Sequence, residues 1–390
     1  MLIYFGTLIL NKYACFPHFS PYLVFLKKQA IAKAEEELLV TEINWRKITD
    51  VESLAEYAIN PDLGFQLAAV RQARRLLACK KVPPYDQFIE SGIIPSLVKF
   101  MDSKNTTLQF DSTWILAHIA SGTIEQTAAI VEADSIPSFI NLLNSPNKEI
   151  KSQALWGLSH IIDKSPKSRN ECINAGIISA FAKLADSEAT NLADLRNIAW
   201  SLKNLCKQEI GNNLVKIEIL LDNGILGYML SLIRSQNKQI KHSVLYILGK
   251  IMSDKHQENE QIFDVKLIHE IVKLLKYNDY QIRIDAAKII VSISMQPKYI
   301  KTLIKHNVIS RLCKILRHPL KNDDDLVVIL TDFKNIVENS NKNEKKMILK
   351  EMKNSGGTSL FSKFERHENE RIKNICKEII DFIDNHKIIE

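Results

Sequence analysis

A short apolar phrase returns along this chain at nearly constant spacing, and that recurrence limits the fold more than any other feature. It reads Ser91-Gly-Ile-Ile-Pro-Ser-Leu-Val-Lys-Phe100, then Asp134-Ser-Ile-Pro-Ser-Phe-Ile-Asn-Leu-Leu143, then Ala175-Gly-Ile-Ile-Ser-Ala-Phe-Ala-Lys-Leu184. Weaker copies are Asn223-Gly-Ile-Leu-Gly-Tyr-Met-Leu230, Lys266-Leu-Ile-His-Glu-Ile-Val-Lys-Leu-Leu275 and Asn307-Val-Ile-Ser-Arg-Leu-Cys-Lys-Ile-Leu316. Alignment of Ile94, Ile136, Ile178, Leu226, Ile268 and Ile309 gives steps of 42, 42, 48, 42 and 41 residues. A period of this length means a stack of small units, none of which can bury its apolar face alone. Each unit reads as a turn, a helix starting near the phrase, a polar link such as Asn144-Ser-Pro-Asn-Lys148, and a second, longer helix.

The period lies in the range of the armadillo and HEAT helical repeats. The expected fold is all-α, a right-handed α-solenoid of about eight armadillo repeats. Repeats are placed over residues 49–345, a capping repeat over 346–390, and a poorly ordered segment over 1–48. The apolar run Met1–Leu10 is shorter than the roughly 20 residues a membrane span needs. It also lacks the basic start and small-residue cleavage site of a signal peptide.

Composition agrees. Glycine supplies only 12 and proline 11 of 390 residues, which suits helices and argues against the glycine cradles of nucleotide-binding enzymes. The six cysteines stand at least 34 residues apart, so neither a disulfide framework nor a zinc site is indicated. A net charge of +7 is spread without long like-charged runs, so neither nucleic acid nor a membrane is an expected partner.

Stacked repeats present a long concave surface. On a helical wheel, Leu155, Leu158, Ile161 and Ile162 form the buried stripe of one long helix, and Gln153, Trp156, His160 and Asp163 fall on the other side. The neighbouring units repeat the arrangement, with Asp111, Trp114, His118 and Ser121 in one and Asn197, Trp200 and Asn204 in the next. The tryptophans step by 42 and 44 residues and so form a ladder, each rung with a polar residue one turn on. Parallel indoles would make slots for lysine or arginine stems, and the polar residues would hold an extended peptide backbone.

At these residues the chain resembles the importin-alpha (karyopherin-alpha) family. Leu108-Gln-Phe-Asp-Ser-Thr-Trp-Ile-Leu-Ala-His-Ile-Ala-Ser-Gly-Thr-Ile-Glu-Gln-Thr127 is similar to that family's LQFE..W.L.NIASGT.EQT signature. Leu195-Arg-Asn-Ile-Ala-Trp-Ser-Leu-Lys-Asn-Leu-Cys206 resembles LRN..W.LSNLC, and Phe364-Glu-Arg-His-Glu-Asn-Glu370 resembles its terminal LQRHEN. The resemblance implies that Trp114, Trp156 and Trp200 carry the major pocket for nuclear localisation signals. It makes Asn204 a peptide-clamping residue, Asn197 the polar residue before Trp200, and Gln153 the one before Trp156. It also implies that Ser121, Gly122, Thr123 and Thr127 form the loop that helps hold a key lysine.

Several positions depart from that pattern. The first two clamping asparagines are His118 and His160, whose protonation would repel a basic cargo, so affinity is expected to fall on acidification. The aspartate that pairs with the key lysine aligns with Lys164, beside Asp163. Tyr246 stands where the next tryptophan lies, with Lys250 one turn on, and Gln239 and Ser243 replace acidic positions. Lys288 and Ser292 align with the tryptophan and asparagine of the minor pocket. No Arg/Lys-rich importin-beta-binding arm is recognisable in residues 1–48.

The expected function is a nuclear import adaptor that binds Lys/Arg-rich localisation signals of cargo proteins and shuttles between cytoplasm and nucleus. The resemblance also implies importin-beta and an export receptor as partners. The alternative is an armadillo scaffold with no transport role. Catalysis is not expected, since no nucleophile–base set, metal cluster or cofactor cradle is visible, and Glu365-Arg-His-Glu368 lacks the spacing of a metal-binding HExxH helix.

Overall fold

The computed structural model describes residues 44–80, 82–185, 190–207, 222, 225–253, 264–357 and 359–387. Most of the leader, residues 1–43, and the stretches 208–221 and 254–263 lie outside these. Every regular element among the described residues is helical, and they group into two units, residues 1–215 and 216–390.

The first unit opens with a 3-10 turn, Trp45–Lys47, and helices α1 (Val51–Ala58) and α2 (Leu63–Cys79). Trp45 is buried against Tyr57 and Phe65 at ring separations of 4.9 and 6.1 Å. Three repeats follow: α3 (Tyr85–Glu90), α4 (Ile94–Met101) and α5 (Thr106–Ala120); α6 (Ile124–Glu132), α7 (Ser135–Leu142) and α8 (Lys148–Lys164); α9 (Pro166–Asn174), α10 (Ile177–Ala185) and α11 (Leu192–Leu205). Each unit therefore holds three helices rather than the two read from the periodicity. Among the short first helices α9 is too polar to register, reading Pro-Lys-Ser-Arg-Asn-Glu-Cys-Ile-Asn.

The turn between the first and second helices explains the glycine of the recurrent phrase. Gly92 and Gly176 have φ of 73° and 85°, and Asp134, at the equivalent place, has φ of 56°. Glycine and short polar residues enter this left-handed region most readily. The polar link before each long helix has an equally specific role. Asn105, Asn147 and Asn191 each accept two backbone N–H bonds from the first turn of α5, α8 and α11. These are helix N-caps, each worth about 1 kcal/mol.

The long helices α2, α5, α8 and α11 pack side by side in chain order. Gly157 leaves no room for a side chain on α8, because a Cβ there would lie 2.8 Å from the Phe139 ring on α7 and 3.1 Å from Ala117 on α5. Polar stitches join neighbouring long helices one repeat apart. Ser152 donates to the Asp194 carboxylate at 3.0 Å, and Ser201 donates to Ser159 at 2.8 Å.

The second unit repeats the scheme with α12 (Ile225–Arg234), α13 (Lys238–Ser253), α14 (Val265–Leu274), α15 (Tyr280–Ser294), α16 (Pro297–Lys305), α17 (Val308–Leu316), α18 (Asp323–Glu338), α19 (Lys342–Asn354) and α20 (Glu370–Lys387). Its long helices α13, α15, α18 and α20 again pack in series. Asn237, Asp279 and Asn322 cap three of them. Asn307 takes the left-handed turn position at φ 58°.

Candidate functional site

The three ladder tryptophans stand on consecutive long helices, α5, α8 and α11, and their rings do come into register. Between them lie the histidine rings. Trp114 and His118 stack at 3.5 Å, His118 and Trp156 lie 4.7 Å apart, Trp156 and His160 4.7 Å, and His160 and Trp200 5.7 Å. The result is a relay of five aromatic rings running across three repeats.

This corrects the expectation of open slots. Trp114 is 1% exposed and Trp156 5%, while Trp200 and His160 are half-buried. The helical wheel gives the direction of a side chain but not how far its neighbours cover it. The His118 imidazole lies nearly parallel to the Trp114 indole, at 23° between the ring planes, whereas His160 meets Trp156 and Trp200 edge-on, at 81° and 69°. His118 is held in that pose by its Nδ1, which donates to the Trp114 carbonyl at 2.8 Å.

Two amides flank the relay. Gln153 precedes Trp156 by one turn on α8, and Asn204 follows Trp200 by one turn on α11. Both are fully buried, and neither the nitrogen nor the oxygen of either side chain has a hydrogen-bond partner. A buried unsatisfied polar group costs about 1–3 kcal/mol. Asn197, at the open end, is half-buried.

The turn from Ser121 to Thr123 and the first turn of α6 that follows it carry hydroxyls that mostly serve the backbone. Ser121 donates to the His118 carbonyl, and Thr127, buried, donates to the carbonyls of Ala120 and Thr123. Thr123 caps α6 in a reciprocal box with Gln126. A Cβ at Gly122 would sit 2.0 Å from the Gln126 side-chain oxygen, so the capping box itself requires glycine. The Gly122 carbonyl accepts from the Lys164 ammonium at 2.5 Å.

Internal cations meet the acceptors around the relay. Arg74, on α2, pairs with the buried Asp111 carboxylate, with its guanidinium 5.3 Å from the Trp114 ring centre. Lys164 takes the Gly122 carbonyl, and Lys207 pairs with Asp163 at 3.0 Å. Burial pulls the Arg74 guanidinium below its ordinary range, and Asp111 opposes that pull. In the second unit, Lys250 lies 5.7 Å from the ring centre of Tyr246, and Lys288 lies 3.9 Å from Asp285. Sequence reasoning found the ladder but missed Arg74 and Lys207, which come from the preceding repeat and from just past α11.

Among the described residues no group of three histidine, cysteine or acidic side chains is placed to hold a metal, and no helix is long and apolar enough to cross a membrane.

Comparison with known proteins agrees with this architecture. The armadillo/beta-catenin-like repeat family matches residues 82–121 and 123–163. Importin subunit alpha-B of Dictyostelium discoideum is 35% identical over 233 residues, 59% of this chain and 44% of that protein. Importin subunit alpha-1a of Oryza sativa subsp. japonica is 26% identical over 279 residues, 71% of this chain and 52% of that protein. The chain thus spans about half or less of the length of these relatives. Among solved structures, an engineered protein matches 91% of this chain and 99% of its own with a TM-score of 0.62 at 18% identity. A designed armadillo repeat protein in complex with the peptide (KR)4 matches 62% of this chain and 99% of its own, with a TM-score of 0.53 at 20% identity. The fold is that of an armadillo-repeat array, and the chain resembles importin-alpha subunits.

Proposed function

We propose that the face carried by α5, α8 and α11 binds an extended Lys/Arg-rich segment, and that the protein is an import adaptor for cargo bearing nuclear localisation signals. The observation that carries this reading is the pair of buried, unpartnered amides, Gln153 and Asn204, flanking an aromatic relay. A purely structural face has little reason to retain them, since apolar residues of the same shape would be nearly neutral or stabilising. An extended peptide backbone supplies the alternating donors and acceptors that primary amides match.

On this reading the structure is a closed form. The imidazoles of His118 and His160 lie where aliphatic cargo stems would pass, and Arg74, Lys164 and Lys207 hold acceptors a basic ligand would need. Cargo must displace them, which weakens binding. The similar importin-alpha subunits, and the designed armadillo protein bound to (KR)4, support the ligand class. Shuttling between cytoplasm and nucleus, and transfer to an importin-beta-type carrier and an export receptor, follow from the same reading.

Those internal cations also favour a second reading, an armadillo scaffold whose former peptide face is filled. Fluorescence anisotropy of a labelled Lys/Arg-rich peptide at near-physiological salt separates the two. A Lys-to-Ala peptide and the Trp200→Ala/Asn204→Ala variant serve as controls, and thermal melting checks that the variant folds. Binding that disappears in both controls supports the adaptor. Binding retained by the folded variant is charge attraction alone, and no binding at all favours the scaffold.

A further inference from the structure

A second concave site lies wholly in the second unit. It is a cleft of about 470 Å³ where the C-terminal ends of α14 and α17 meet the first turn of α15. Lys276, Arg283, Lys314 and His318 line it together with Tyr277 and Tyr280, and no carboxylate does.

Its wall is built rather than incidental. One guanidinium nitrogen of Arg283, Nη1, donates to the carbonyls of Tyr277 and Asn278 at 2.8 and 3.2 Å, which fixes the planar group in place. Tyr280 donates to Asp325 at 2.6 Å and accepts the Lys321 backbone N–H at 2.9 Å. The ring of Tyr280 has Arg283 at 5.5 Å and Lys321 at 4.5 Å from its centre. Nearby carboxylates are engaged elsewhere: Asp279 caps α15, and Asp325 is occupied by Tyr280.

Positive charge is in excess here. The Lys276 ammonium is held below its ordinary range first by the Arg311 guanidinium, with burial and Lys314 adding to it. A cation in the last turn of a helix complements the helix dipole. That accounts for one basic residue per helix, not for four converging on one cleft that no carboxylate lines.

We propose that this cleft binds a compact ligand carrying two or more phosphate groups, such as an inositol polyphosphate, free or as a lipid headgroup. The volume falls within the range of small-molecule sites. A fixed guanidinium offers planar, directional recognition of phosphate, and the flexible lysines add point charges.

The test is calorimetric titration of the full chain with inositol hexakisphosphate at near-physiological salt. The expected result is one saturable site that inorganic sulfate at equal concentration does not block. Affinity should fall at least tenfold in Lys276→Ala/Lys314→Ala, and stay within twofold in Lys266→Ala/Lys301→Ala, which removes equal charge elsewhere on the same unit. Both lysines are exposed, so the first variant should melt no lower than the parent. Vesicles containing phosphatidylinositol bisphosphate, compared with phosphatidylserine vesicles, identify the source. Sedimentation that depends on Lys276 and Lys314 assigns a lipid headgroup, and soluble binding alone assigns a free ligand. Equal binding by both double variants, or no binding of either probe, overturns the proposal.

Discussion

The Lys164 ammonium lies 2.5 Å from the carbonyl oxygen of Gly122, so that a lysine from one repeat reaches the turn of the repeat before it. Lys164 is the C-terminal residue of α8, and Gly122 lies in the turn between α5 and α6. A cation of the chain itself thereby fills an acceptor in the loop that the resemblance implies helps hold a cargo lysine.

Removal of that cation should strengthen basic-peptide binding. A hydrogen bond to a charged group is worth about 1.5–3 kcal/mol, so Lys164→Ala should raise affinity by roughly tenfold. Anisotropy titration of parent and variant with the same peptide reads this directly. Unchanged or weaker binding would show that Lys164 does not compete with the ligand.

The imidazole rungs make a second, opposed pair of effects. His160→Asn should open the gap between Trp156 and Trp200 and raise peptide affinity several-fold. It should also lower the melting temperature, since an aromatic pair contributes about 0.5–1.5 kcal/mol beyond area burial. A variant that melts lower yet binds no better would mean that the gap admits no cargo stem.

Asp332, on α18, gives the clearest pH dependence. Its carboxyl is fully buried, neither oxygen has a partner, and burial pushes its pKa well above the ordinary 3.8. Between the unfolded and folded values the native state binds more protons, so this group's contribution to stability falls as pH rises. Asp332→Leu should therefore raise stability at neutral pH, by about 1–3 kcal/mol, and flatten the gain seen in the parent on acidification. Melting curves of parent and variant at acidic and at neutral pH check the sign. A lower melting temperature for the variant at neutral pH would show that the carboxylate has a partner.

Gly157 tests the packing of α8 against α7. Alanine is a better helix former than glycine by about 1 kcal/mol, but its Cβ would press on the Phe139 ring. Overpacking of this kind costs about 1–3 kcal/mol, so Gly157→Ala should melt lower despite its propensity. A higher melting temperature would mean that Phe139 yields without strain.

Much of the architecture was legible in the chain because the second helix of each repeat is the most apolar one, and its phrase returns in register. Among the first helices, α9 escaped notice because Pro166–Asn174 carries few apolar residues. A further signal was present and unread. The caps Asn105, Asn147, Asn191, Asn237, Asp279 and Asn322 recur at steps of 42, 44, 46, 42 and 43 residues, marking the starts of α5, α8, α11, α13, α15 and α18. At the site, periodicity placed Trp114, Trp156 and Trp200 in line. It could not show that Lys164 reaches Gly122, or that Arg74 approaches Trp114, because both contacts join different repeats. The depth of Trp114 depends on the volume of His118 and on the neighbours around it, which a one-helix projection leaves out.

The five-ring relay also gives the molecule an optical property. Three of its four tryptophans, Trp114, Trp156 and Trp200, lie in that relay, each in ring contact with a histidine. Indole emission is sensitive to an adjoining imidazole and to the charge that imidazole carries. Three of the four indoles therefore report on this one face, and a ligand that displaces His118 or His160 would announce itself in the emission of the unlabelled chain.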